Sequence, residues 1–200
     1  MTSTRTILLA VTLLALTSCA RRAEFRPVHA PESVPPQLAG VEYEINVNGA
    51  NLGDVKVWSE GATTRKVNGK QRVVHVGLRI RNDDSAPLRF DPARASIAVI
   101  SDDGQLLEIK RPVSVRGDTT IQPGEIGRIQ LQYPVPNHVD VYEIAGFEFN
   151  WAVESETAVA TNSTTFVREG QDEDRVRYGV GMGFYDPYWG TPYHYRPYWP

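Results

Sequence analysis

From Val41 onward the chain alternates, with Val41, Tyr43, Ile45 and Val47 on one side and Glu42, Glu44, Asn46 and Asn48 on the other. A period of two is the signature of a pleated strand with one buried face. The pattern returns at Arg72 to Arg81, where Val74, Val76, Leu78 and Ile80 point inward and Val73, His75, Arg79 and Arg81 outward. It returns again at Ile129, Leu131 and Tyr133, which Pro134 and Pro136 should end, and most heavily at Phe147, Phe149, Trp151 and Val153. Shorter extended pieces are expected at Gly53 to Trp58, as a hairpin partner for the first strand, and at Leu88 to Phe90, Ala95 to Ile100, Gln105 to Ile109, Val113 to Val115 and Thr119 to Ile121. Turn residues separate them: Asn48-Gly49-Ala50-Asn51, Asn82 to Pro87, Asp91-Pro92, Asp102-Asp103-Gly104 and Gln122-Pro123-Gly124-Glu125. Ser59 to Gln71 reads as a polar loop closed by Asn68-Gly69-Lys70. No helical stripe occurs between Val41 and Val153, so the expectation is an all-β domain over 40–154, a single antiparallel β-sandwich of seven to nine strands, with a small closed barrel as the alternative.

The pattern breaks down on both flanks. Arg5 precedes an apolar run, Ile7 to Leu16, too short to span a bilayer, which ends in Leu16-Thr17-Ser18-Cys19. This is an export signal over 1–18. Its last four residues resemble the lipobox of bacterial lipoproteins, and Cys19 is the one cysteine of the chain. The resemblance implies that the Cys19 thiol carries diacylglycerol, that cleavage falls just before it, and that the new amino terminus is acylated. Acyl chains contribute about 0.8 kcal/mol per buried methylene, so such an anchor is effectively permanent. Ala20, rather than Asp, follows the cysteine. By the sorting rule of enterobacterial lipoproteins this implies the outer membrane, with the protein facing the periplasm.

Residues 19–39 hold Pro27, Pro31, Pro35 and Pro36 among polar residues, and read as a disordered tether able to hold the domain some tens of Å from the lipid. Residues 155–177 read as a polar linker with, at most, an edge strand at Thr164 to Val167. The tail over 178–200 is different: it contains six of the nine tyrosines, two of the four tryptophans and four of the fourteen prolines. Pro-Tyr recurs at 187–188, 192–193 and 197–198, which excludes a helix. Its aromatic faces, Tyr188, Trp189, Tyr193, Tyr195, Tyr198 and Trp199, are candidate contacts for peptidoglycan, another glycan or a second envelope protein.

Composition narrows the chemistry. The net charge of −3 becomes −4 once Arg5 is removed with the signal, and nothing in the chain resembles a nucleic-acid surface, so no nucleic-acid partner is expected. With Cys19 committed to lipid there is no thiol left for a disulfide or a metal, so stability rests on an apolar core. His29, His75, His138 and His194 have no metal-site spacing, and no nucleophile elbow, phosphate loop or dinucleotide fingerprint is present. No cofactor is expected.

The stretch Leu78-Arg79-Ile80-Arg81-Asn82, followed by Leu88-Arg89-Phe90-Asp91-Pro92 and Ile121-Gln122-Pro123-Gly124 leading into Ile129-Gln130-Leu131, resembles the immunoglobulin-like domains of bacterial envelope lipoproteins. That resemblance implies a binding or scaffolding module without an active site. The expectation is a non-enzymatic, membrane-anchored lipoprotein. The alternatives are a structural spacer between membrane and wall, or an envelope glycan-processing hydrolase whose carboxylates would come from Asp83, Asp84, Asp102 and Asp103.

Overall fold

Two long strands, β4 (Ala50–Lys66) and β5 (Lys70–Asn82), pair from one end of the molecule to the other. The computed structural model describes residues 22–170, apart from positions 29, 32, 48, 67–69 and 157 and the side chains of 65, 66 and 70. In β5 the inward residues Val74, Val76, Leu78 and Ile80 are fully buried, as the alternation requires. The expected loop from Ser59 to Gln71 does not form, because β4 continues to Lys66 through a bulge. Glu60 and Gly61 together oppose the single residue His75, the register shifting between Ser59 and Ala62. Gly61 adopts φ 83° and its N–H donates to Ser59 Oγ at 3.0 Å. The extra residue reverses the inward phase, so that Ser59 and then Ala62 are buried. A strict period of two therefore fails across a strand that is continuous.

The first sheet runs β1 (Arg22–Ala23), β4, β5, β11 (Ile126–Val135) and β9 (Ser114–Arg116), with β3 (Gly40–Val47) along the first half of β4. The second is centred on β12 (Ile144–Glu154). On one side of β12 lie β13 (Val159–Arg168) and β2 (Phe25–Pro27). On the other, β7 (Ser96–Ser101) with β8 (Leu106–Ile109) covers its first part and β6 (Leu88–Phe90) with β10 (Thr120–Ile121) its last. The sheets are antiparallel and face each other as a sandwich, with six and seven strands among the described residues. Phe147, Phe149, Trp151 and Val153 from β12 meet Val57, Leu78, Leu131 and Tyr133 in one continuous core. β11 passes Pro134 and ends at Val135, with Pro134 beyond the rungs Gln130 to Gln132 that β9 covers.

Two flanking expectations are corrected. The segment read as a tether supplies β1 to one sheet and β2 to the other, and Phe25 is 1 % exposed between the layers. Its isolated apolar residues carry no period, and only the partner strands give them a place. The segment read as a linker contains β13, which pairs with β12 over nine residues from Gly146↔Val167 to Glu154↔Val159. It is polar because only Thr164, Phe166 and Val167 are buried. The Tyr43 hydroxyl lies 3.0 Å from Thr164 Oγ1 and donates to the Ser163 carbonyl at 3.1 Å.

The sandwich has two distinct ends. At the far end, where β5 and β12 finish, the buried Asn82 amide donates to the carbonyls of Ala86 and Ile121, both at 2.9 Å, tying the sheets together. At the near end β12 begins after the 3-10 turn Val141–Glu143, β13 finishes, and the β4–β5 hairpin closes.

Candidate functional site

The outer face of the first sheet carries a row read directly from the register: Gly40, Trp58, Gly77, Gln130 and Arg116, on β3, β4, β5, β11 and β9. Trp58 is thus flanked by glycine in both neighbouring strands. A Cβ on Gly77 would fall 2.2, 2.4 and 2.5 Å from Cε2, Cζ2 and Nε1 of the indole. Near-equal distances to three adjacent ring atoms place that point above the ring plane, so the indole lies flat on Gly77. One aromatic face is turned to the sheet and the other away from it, and the side chain is half-buried.

Charged groups frame this platform. One rung along, Arg79 donates to Glu42 Oε1 at 2.6 Å and reaches Asp54 Oδ1 at 3.4 Å. Arg81 Nε contacts Asp54 Oδ2 at 2.6 Å, and Arg81 Nη2 reaches Asp83 at 3.2 Å. Desolvation raises the pKa of the buried Asp54 carboxyl above its ordinary value, with Arg81 opposing it. Within the row Gln130 Nε2 donates to Glu60 Oε1 at 2.9 Å, and on its other side Thr63 Oγ1 lies 2.9 Å from His75 Nε2. Parity placed His75 on this outer face, and it stands there half-buried. An apolar ring edged by paired donors and acceptors is suited to holding a polyhydroxylated ring, whose C–H face stacks while its hydroxyls bond the rim.

The outer face of the second sheet holds a different group. Glu148, on β12 between Ala98 and Thr165, is half-buried, and burial raises its pKa above the usual carboxylate range, against a lowering by the Ser163 hydroxyl. Its Oε2 is buried without a hydrogen-bond partner. A cavity of about 70 Å³ lies between β8 and the segment His138-Val139, far below the roughly 300 Å³ of ordinary ligand pockets.

Cys19 and the tail residues Tyr188, Trp189, Tyr193, Tyr195, Tyr198 and Trp199 lie outside the described residues, as do His29 and His194. The carboxylates of the hydrolase alternative are not brought together. Asp83 and Asp84 follow β5 at the far end, whereas Asp102 and Asp103 follow β7 at the near end, where Ser101 pairs with Ile144. The length of β12 separates them, roughly 30 Å at 3.3 Å per residue. Among the described residues no group of three or more His, Cys, Asp or Glu is placed to hold a metal ion.

No protein-family model matches the chain, and no curated protein does. Two similar solved structures are a Northeast Structural Genomics Consortium target and a functionally unknown protein from Listeria monocytogenes EGD-e. The first is 10 % identical with a TM-score of 0.39, covering 74 % of this chain and 97 % of its own. The second is 10 % identical with a TM-score of 0.34, covering 58 % and 76 %.

Alternation placed Trp58 at the end of a strand but gave it no role. The available signal was Gly77, a glycine at an outward position of the strongest strand, since a glycine inside a strand marks a close approach by another group.

Proposed function

We propose that the protein is a non-enzymatic bacterial envelope lipoprotein, anchored through Cys19 and facing the periplasm from the outer membrane, whose sandwich binds an envelope glycan across Trp58. The observation that carries the glycan reading is the indole lying flat on Gly77, with Gln130, Glu60, Arg79 and Glu42 at its margin. The Leu16-Thr17-Ser18-Cys19 motif supports the anchor. Tyr188, Trp189, Tyr193, Tyr195, Tyr198 and Trp199 offer further aromatic contacts to the same polymer or to an envelope protein bound to it.

Co-sedimentation of the mature full-length protein with isolated peptidoglycan, and in a parallel arm with lipopolysaccharide, tests the binding. Trp58→Ala is expected to weaken retention on one of the two about fivefold or more, from loss of a stacking contact of about 1 kcal/mol. A chain ending at Arg177 should lose a further share. An unfolding midpoint lowered by Trp58→Ala with retention unchanged on both polymers would reduce Trp58 to a cover for Gly77. The anchor is tested separately by Cys19→Ser, which should move the protein from the detergent phase to the aqueous phase.

A further inference from the structure

The chain joins the first sheet at Arg22, only three residues after Cys19. Three residues span at most about 11 Å. If Cys19 bears lipid, as the proposed function holds, the sandwich cannot stand off the bilayer, and one of its surfaces must rest against it. The register says which. Arg22 pairs with Thr63 and Ala23 with Ala62, so β1 runs antiparallel to β4 and its first residue, Arg22, lies toward the end of the sheet where β4 reaches Arg65 and Lys66. This is the near end, where β4 and β5 close through the rungs Arg65↔Gln71 and Lys66↔Lys70.

Those two rungs project beyond the neighbouring strands, since β11 makes its last pair at Val135↔Arg72 and β1 at Arg22↔Thr63. The projection is basic in sequence: Arg65, Lys66 and Lys70 stand within a stretch from Gly61 to Asn82 that contains no Asp or Glu. Among the described residues, the acidic groups elsewhere on the near end are engaged by the fold. Asp102 is held by Arg168 at 3.1 Å, Asp140 by Arg72 at 3.8 Å and Glu169 by Arg26 at 2.6 Å. Glu24 accepts from Gln37 at 2.5 Å, Glu143 from the Asp140 N–H at 2.9 Å, and Asp103 from Ser101. The other end of the described chain emerges here too, with the Glu169 N–H donating to the Glu24 carbonyl at 3.0 Å.

We propose that the near end of the sandwich is seated on the membrane surface, with Arg65, Lys66 and Lys70 as a second, electrostatic attachment to anionic lipid headgroups beside the acylated Cys19. Membrane seating fixes the orientation of the domain: β4 and β5 rise from the bilayer, Trp58 is carried partway up the face, and the Asn82 end points away. Basic residues close to an anionic leaflet are drawn to it, and salt screens the attraction.

The test uses the full-length lipidated protein in vesicles containing phosphatidylglycerol, with a single fluorophore on Gln71→Cys or, as the far-end control, on Ser85→Cys, both exposed positions. Headgroup-linked quencher should darken the Gln71 probe at least twofold more than the Ser85 probe. Reversal of Arg65, Lys66 and Lys70 to Glu, or high salt, should remove most of that difference, and vesicles of phosphatidylcholine alone should show little of it. Equal quenching of both probes in protein that still partitions with detergent would overturn the seating while leaving the anchor intact. A difference unaltered by charge reversal would overturn the electrostatic attachment. Failure of the anchor itself is read independently, as protein that does not float with the vesicles.

Discussion

Phe25 stands edge-on to Phe147, ring centroids 5.2 Å apart at 70°, and Phe147 stacks in turn on Phe166 at 4.8 Å. The three rings come from β2, β12 and β13, so the first described strands and the last one close the same part of the core. Removing the Phe25 ring leaves a void that its neighbours cannot fill. Phe25→Ala is expected to cost about 3–5 kcal/mol, measured by denaturant unfolding. A loss below about 1 kcal/mol would show that the segment before β3 is dispensable, as a tether would be.

Gly77 is the complementary case, a position where nothing can be added. Gly77→Ala would put a methyl group 2.2 Å from the Trp58 ring, so the indole must lift from the sheet. The expected result is a red-shifted tryptophan emission, lower stability by about 1–3 kcal/mol and weakened glycan retention. Unchanged emission and retention would mean that the platform does not need its floor.

Glu148 makes stability depend on pH. Its pKa is raised by burial, so between the ordinary carboxylate value and the raised one the folded protein holds a proton that the unfolded chain has released. Stability therefore falls as pH rises through that window. Glu148→Gln should raise the thermal midpoint at pH 7, leave it nearly unchanged where both forms are protonated, and flatten the profile between. A profile identical to that of the wild type would show that the carboxylate is fully solvated.

Tyr133 is fully buried, and its hydroxyl has no hydrogen-bond partner. Burial pushes its pKa far above the ordinary phenol value, so the group stays neutral throughout the usable pH range. The ring packs edge-on to Phe149 at 6.2 Å, and Phe would keep that contact without the unpaired oxygen. Tyr133→Phe is expected to be neutral or stabilising by about 1 kcal/mol in equilibrium unfolding. A loss of more than about 1 kcal/mol would reveal a partner for the hydroxyl.

Alternation by itself determined the β class, the inward faces of β3, β5, β11 and β12, and the turns at Gly49, Gly104 and Gly124, where the backbone takes positive φ. These are local properties: a residue's side of a pleat follows from its neighbours two positions away, and a turn from its own few residues. The Leu16-Thr17-Ser18-Cys19 pattern that resembles a lipobox is equally local, four adjacent residues in the sequence. Only the tertiary structure brought Phe25 and the polar strand β13 into the sandwich, because both gain their stability from strands remote in sequence. It alone carried β4 through the bulge at Gly61, where the inward phase changes, and laid Trp58 on Gly77, 19 positions away in the chain. The separation of Asp83 from Asp102 was settled in the same way, because sheet order and register decide which residues meet, and both arise from long-range pairing that a window of neighbouring residues does not contain.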